Sequence, residues 1–389
     1  MQLQNRYKPL LGGMAALVTT AGLLASTMGP ATADPTRLYA TVGSDTTDAV
    51  WNGLTNDFGA PIPSVASYNA FSGTQALNYI QTKTGGSWFE RPAGSTNGVK
   101  ALSAVWDPNH NHQWFTTGNP PVTLTHEEVD FARSSGGPVS GANTGLRYIP
   151  FGRDAVSLAY KPTTGLTNLD LTTGQITELY TGLDDTGNSK VQISQPLSAS
   201  SVVTIDGVVV HPKIPQSGSG TRSFFQTAAS AGSLAPYITE GPTPENDGTV
   251  LSSAGDLIPF SAAQFIAQRN GKFTDTTAGL EMAKIGTATP FTGTTTLAPG
   301  SLFGSTDFGG NYDTPPAGGA GVYNRDTYNV IPTAFIGSAV PKQSALVNIL
   351  GNTAGVYGAT SKGIIKGYGF GILAYGNQSA NWLAGAYRH

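Results

Sequence analysis

The chain has 389 residues, of which 50 are Gly and 25 Pro; charged residues make up 12 %, and there is no cysteine. Average chains carry about a quarter charged residues, so the surface here is polar but nearly neutral, built from Ser, Thr, Asn and Gly. A net charge of −3 excludes a broad basic nucleic-acid-binding face, and the missing thiol excludes disulfide scaffolds, thiolate zinc sites, cysteine catalysis and cysteine-linked lipid anchors.

Residues 1–33 read as an address. Arg6 and Lys8 precede an apolar stretch over 10–28, and Ala31-Thr32-Ala33 fits the small-x-small pattern of signal-peptide cleavage. Gly, Thr and Ser dilute that stretch below a good spanning helix. The expectation is a cleavable secretory signal and an exported chain with no membrane span and no lipid anchor. Beyond it, 38–42 predicts a strand and 46–58 a helix. Strand signals follow at 122–131, 146–160, 190–193 and 201–210, the last with an Asp206-Gly207 turn. Helical patterns occupy 171–180, 223–231, 261–270 and 342–350, and 286–321 reads as a long Gly/Thr/Pro-rich loop. Strands alternating with helices predict an α/β fold. The echo of Ile149-Pro150-Phe151 in Ile258-Pro259-Phe260 suggests two places where the chain crosses between lobes.

The most informative pattern is a set of Gly/Ser/Thr turns, most of them placed before a helical segment. They are Gly43-Ser44-Asp45-Thr46-Thr47, Gly94-Ser95-Thr96-Asn97-Gly98, Arg133-Ser134-Ser135-Gly136 and Ser217-Gly218-Ser219-Gly220-Thr221-Arg222. The first N–H groups of a helix lack internal partners and carry partial positive charge. Gly lets backbone approach an anion, and Ser and Thr hydroxyls add donors that rotate to suit it. One such turn is ordinary helix capping; four together can hold an oxyanion with little net charge. No Gly-Lys-Ser/Thr follows, so none is a nucleotide P-loop.

These turns resemble those of the extracytoplasmic phosphate-binding proteins of ABC-type phosphate importers. Gly94-Ser95-Thr96-Asn97-Gly98-Val99-Lys100 is similar to that family's Gly-Ser-Ser-Gly-Gly-Val-Lys turn, Val129-Asp130-Phe131 to its Val-Asp-Phe strand, and Gly218-Ser219-Gly220-Thr221 to its Gly-Ser-Gly-Thr turn. The resemblance runs in order through most of 38–270, with the specific matches confined to the turns. It implies a two-lobed periplasmic-binding-protein-like (type II) α/β fold with a two-crossing hinge. The implied first lobe takes 34–150 and returns over 259–389, and the second takes 151–258. Carried over, Thr46, Ser95, Ser219, Gly220 and Thr221 would contact the ligand.

Two positions depart from the family. Ser135 stands where it has a carboxylate that accepts from protonated phosphate, and Pro215 stands where it has the anion-pairing Arg; residues 103–125 look inserted. Without that carboxylate, rejection of a fully ionised anion such as sulfate should weaken. Arg222, which opens the helix after the fourth turn, is the leading replacement guanidinium; Arg133 is second, and Arg91 is also available. A charge-assisted hydrogen bond contributes about 1.5–3 kcal/mol.

Other groupings read as structural. Asp107, His110 and His112 lie in a Pro/Asn-rich loop, Glu245-Asn246-Asp247-Gly248 reads as a turn and helix start, and Ser219 lacks the spacing of a nucleophile elbow. Trp88, Phe89, Trp106, Trp114 and Phe115 form either a satellite core or a cleft rim. The expected function is a secreted, monomeric solute-binding protein that captures phosphate, a related oxyanion or a phosphoester. It needs no cofactor or metal, does no chemistry, binds no nucleic acid and has an ABC-type importer as implied partner. The alternative is an extracellular structural or interaction protein on the same fold.

Overall fold

The computed structural model describes residues 36–389 except 72–77, 117, 140–143, 184–189, 241–242 and 308. The expected signal segment over 1–33 lies outside the described residues. One mixed sheet organises the rest. Its main path uses nine strands: β1 (Tyr39–Gly43), β2 (Val65–Ser67), β3 (Phe131–Ser134), β4 (Leu146–Tyr160), β5 (Val191–Ile193), β6 (Val203–Ile205), β7 (Val208–Pro212), β8 (Asp256–Ser261) and β9 (Asn324–Pro332). In space they run β5-β6-β7-β8-β4-β9-β3-β1-β2.

One half of the sheet is parallel at its edge: β1 pairs in parallel with both β2 and β3. Parallel neighbours need a crossover, and helices supply it: α1 (Asp48–Thr55) between β1 and β2, and α2 (Gly94–Trp106) before β3. The apolar stripe of α1 buries Val50, Trp51 and Leu54, and the Trp51 ring lies 5.0 Å from Phe131 of β3. Fully burying such side chains contributes about 1.5–3 kcal/mol each. In the other half, Asp206 and Gly207, both at positive φ, turn β6 antiparallel onto β7. The helix α4 (Gly220–Ala228) then carries the chain to β8, parallel to β7.

β4 joins the halves. Its residues 146–155 pair with β9 and its residues 156–160 with β8, both antiparallel. Ile149-Pro150-Phe151 sits in β4 where the β9 register slips, at Thr327/Tyr328, a bulge that accommodates a proline inside a paired strand. Ile258-Pro259-Phe260 lies in β8, against the far end of β4. The chain continues into α5 (Ala262–Arg269), and Glu281–Met282 and Lys284–Ile285 then pair with Tyr160–Ala159 and Asp170–Leu171.

The helices over 171–180, 223–231, 261–270 and 342–350 appear as α3 (Thr173–Thr181), α4, α5 and α6 (Pro341–Gly351). A further helix, α7 (Ala359–Gly367), was not expected. The strand expected over 122–131 is two pieces. Val122–Thr123 pairs with Gln113–Trp114, and β3 starts afresh at Phe131, because polar His126-Glu127-Glu128 intervenes with Glu127 at φ 54°. Part of the apparent insertion therefore extends α2, and the rest forms this short pair. Phe89 and Trp114 join the core under α2, Trp106 packs edge-on against Phe335 at 4.7 Å, and Trp88 and Phe115 are exposed.

Candidate functional site

All four Gly/Ser/Thr turns meet. β1 delivers the first, at its C-terminal end, where the Ser44 N–H donates to the Arg133 carbonyl at 3.1 Å. The second opens α2 and is locked to the fourth, since the Thr96 N–H donates to the Gly218 carbonyl at 3.3 Å. Close approach explains two glycines. A Cβ on Gly98 would lie 2.4 Å from the Gly43 Cα, and one on Gly220 would lie 2.4 Å from the hydroxyls of both Ser95 and Ser135.

Two groups of contacts result. On one side the Ser95 and Ser135 hydroxyls are 3.1 Å apart, and the Ser135 N–H donates to Ser95 Oγ at 2.9 Å. On the other, Thr46 Oγ1 lies 3.2 Å from Thr221 Oγ1 and donates to Glu245 Oε1 at 3.2 Å. Ser219 caps α4, accepting from the Arg222 N–H at 3.0 Å while its hydroxyl donates to Glu245 Oε2. The Thr221 N–H donates to the same carboxylate oxygen at 3.2 Å, and Asn246 Nδ2 donates to Thr46 Oγ1 at 3.2 Å. Thr46, Ser95, Ser135, Ser219, Gly220 and Thr221 are all buried together.

The two arginines expected from the sequence are engaged elsewhere. Arg133 is fully buried and spends its guanidinium inside the first turn's scaffold, donating to the carbonyls of Ser44, Thr41 and Tyr68 and to Ser67 Oγ. Arg222 turns to Glu240, at 3.1 Å, and to the Pro215 carbonyl at 3.2 Å. Its N–H belongs to the capping turn; its charge does not. Arg91 donates to the Asn69 carbonyl at 2.8 Å.

The guanidinium of Arg325, on β9, reaches the buried hydroxyl of the fourth turn. Its Nη2 donates to Thr221 Oγ1 at 2.8 Å and to Asp154 Oδ2 at 2.9 Å, and its Nε also reaches Asp154, at 3.1 Å. Asp154, on β4, is held in turn by Ser261 Oγ at 2.8 Å and the Ala263 N–H at 3.1 Å. Arg325 is 3 % exposed and its Nη1 has no hydrogen-bond partner among the described residues; the same holds for the buried Ser44 Oγ in the first turn.

Carboxyl groups complete the arrangement. Burial, followed by the charge of Glu245 and a hydrogen bond with it, holds the Asp45 carboxyl well above the usual range. Burial also works to raise Glu245, but hydrogen bonds from Asp45 and Ser219, the Arg325 charge and the Thr221 N–H outweigh it and leave Glu245 below its ordinary value. Of these two neighbouring carboxyls, Asp45 therefore holds a proton more readily than Glu245. Burial also pushes Asp48, at the start of α1, up to about 6, with the Arg133 charge opposing. These groups border a groove of about 730 Å³ lined by Asp45, Asp48, Phe71, Glu245, Gln264 and Phe273, among others.

Sequence reasoning missed Glu245, Arg325 and Asp154. Glu245 does lie in a turn, ahead of a short 3-10 segment capped by Asp247, as its neighbours suggested. Its only signal was an acid in an otherwise weakly charged chain; Arg325 had none. Elsewhere, His110 stacks on His389 at 4.2 Å, His389 reaches Asp107 at 2.8 Å, and among the described residues no group of His, Asp and Glu is placed to hold a metal.

No family model and no curated protein matches the chain. Solved structures do. A high-affinity periplasmic phosphate-binding protein bound with phosphate is 14 % identical, with a TM-score of 0.49 and coverage of 87 % of this chain and 90 % of that one. A phosphate-binding protein from Stenotrophomonas maltophilia is 15 % identical, with a TM-score of 0.46 and coverage of 89 % and 93 %. An ABC-type phosphate transport receptor from Vibrio cholerae is 12 % identical, with a TM-score of 0.46 and coverage of 86 % and 99 %. All three are phosphate-binding proteins or phosphate transport receptors.

Proposed function

We propose that the chain is an exported solute-binding protein that captures an oxyanion, phosphate or a phosphoester, between the two halves of its sheet and does no chemistry on it. The observation that carries this reading is the convergence of four hydroxyl-bearing turns, three of them opening helices, in two adjoining groups of buried contacts, one of which Arg325 also reaches. Donors from both halves meet there: Thr46, Ser95 and Ser135 come from the β1–β3 side, Ser219 and Thr221 from the β7–β8 side. A ligand bridging them stabilises the closed arrangement over an open one. The guanidinium supplied by β9 stands in for the family arginine that Pro215 replaces. In this reading the lobes divide within β4 and rejoin along β9, and an ABC-type importer is the receiving partner.

Titration calorimetry of refolded, ligand-free protein against phosphate, sulfate and phosphoesters tests it. The expected result is binding tighter than millimolar to at least one of them, with no turnover in phosphatase and esterase assays. Affinity weaker than millimolar for all of them sinks the reading and leaves the structural or interaction protein.

A further inference from the structure

We propose that Glu245 is a built-in occupant of the oxyanion seat: its carboxylate takes the donors an incoming oxyanion needs, and capture requires that carboxylate to leave. This rests on the oxyanion-capture reading above. One Glu245 oxygen receives the Ser219 hydroxyl and the Thr221 N–H of the α4 terminus, and the other receives the Thr46 hydroxyl. A carboxylate with three donors from two separate turns, fastened at the start of a nine-residue helix, has the contacts of a bound anion rather than of a surface side chain. Glu245 is 3 % exposed.

A second observation marks the point as an anion seat independently of the helix end. Arg325 is held there by Asp154, its Nη2 is on Thr221, and its Nη1 is buried and unspent among the described residues. The charge that would greet a ligand therefore already faces Glu245. Two anions cannot share these donors, because like charges in contact and out of water repel strongly.

The exit is a side-chain movement. Glu245 lines the groove of about 730 Å³, so rotation about its own side chain carries the carboxylate into open space. Its backbone can stay, pinned by the Gln216 N–H on the Thr243 carbonyl at 2.9 Å and by Gln268 Nε2 on the Asn246 carbonyl at 2.9 Å. Only ligands that outbid an ionised carboxylate would be retained, which makes Glu245 a specificity-determining residue.

The test compares wild type with Glu245→Gln in phosphate titrations at pH 8. Removing the charge but keeping the shape is expected to tighten phosphate binding at least tenfold. Equal affinity within twofold, or weaker binding by the variant, overturns the internal-occupant proposal while wild-type binding leaves oxyanion capture standing. No binding by either protein overturns both. A second arm needs no variant: in crystals of wild-type protein grown with phosphate, the Glu245 carboxylate should have left Ser219 and the Thr221 N–H for the groove. Phosphate bound with those two contacts intact overturns the proposal.

Discussion

The two sides of the convergence are built from the same residue types but settle their charge differently. Around Ser95 and Ser135, neutral hydroxyls meet each other and one backbone N–H. Around Ser219, Thr221 and Thr46, the same kinds of donor gather on a buried carboxylate with a guanidinium behind it. Gly220 joins the two: a Cβ there would meet both serine hydroxyls, while its neighbours Ser219 and Thr221 donate to Glu245. Hydroxyl donors can re-aim at little cost, whereas a buried ion pair fixes geometry because each charge is expensive to leave alone.

The charged side should break hardest. Arg325→Met leaves Asp154, which is fully buried, without its cation, and is expected to cost about 3–5 kcal/mol in chemical denaturation. A loss below about 1 kcal/mol would show that the ion pair does not organise this side. Asp48 tests the acid beside it. Its carboxyl is raised to about 6, so the neutral form is favoured in the fold; the stability this gives is present below about pH 4 and is lost as pH rises through about 6. Asp48→Asn should therefore be more stable than wild type by about 2 kcal/mol at pH 8, with the two converging near pH 4. An unchanged difference across that range contradicts it.

The hydroxyl side is probed at its joint. Gly220→Ala puts a methyl 2.4 Å from the Ser95 and Ser135 hydroxyls, and is expected to cost about 1–3 kcal/mol while abolishing anion binding by calorimetry. Retained affinity would place the ligand away from this contact. Smallest is Arg222→Ala. Its partner Glu240 is about half exposed, so stability should fall by at most about 1 kcal/mol and phosphate affinity should change less than twofold. A large loss of affinity would return Arg222 to the ligand.

The turns were legible because their information is local. A Gly beside Ser or Thr before an apolar helical period states both a backbone need and a donor, whatever lies far away. The helices α3 to α6 were legible from the same short-range periodicity, whereas the 122–131 run failed because its strand-like composition hides a left-handed break at Glu127. Where each guanidinium goes was not legible, for the opposite reason. Arg222 and Arg133 are near the turns in sequence, and nearness there made them the candidates; the fold turned one toward Glu240 and spent the other on backbone carbonyls.

By itself, the sequence determined that the chain is α/β, that it carries little charge, and that four capping-type turns exist to offer N–H and hydroxyl donors. Those properties follow from residue types within a few positions of one another. Tertiary structure alone decided which charges meet those donors. Arg325 reaches Thr221 across 104 positions, and Glu245 reaches Thr46 across 199. Such partners are chosen by strand order, which sets β9 beside β4 and brings the Glu245 turn over α4, and no local pattern encodes that choice.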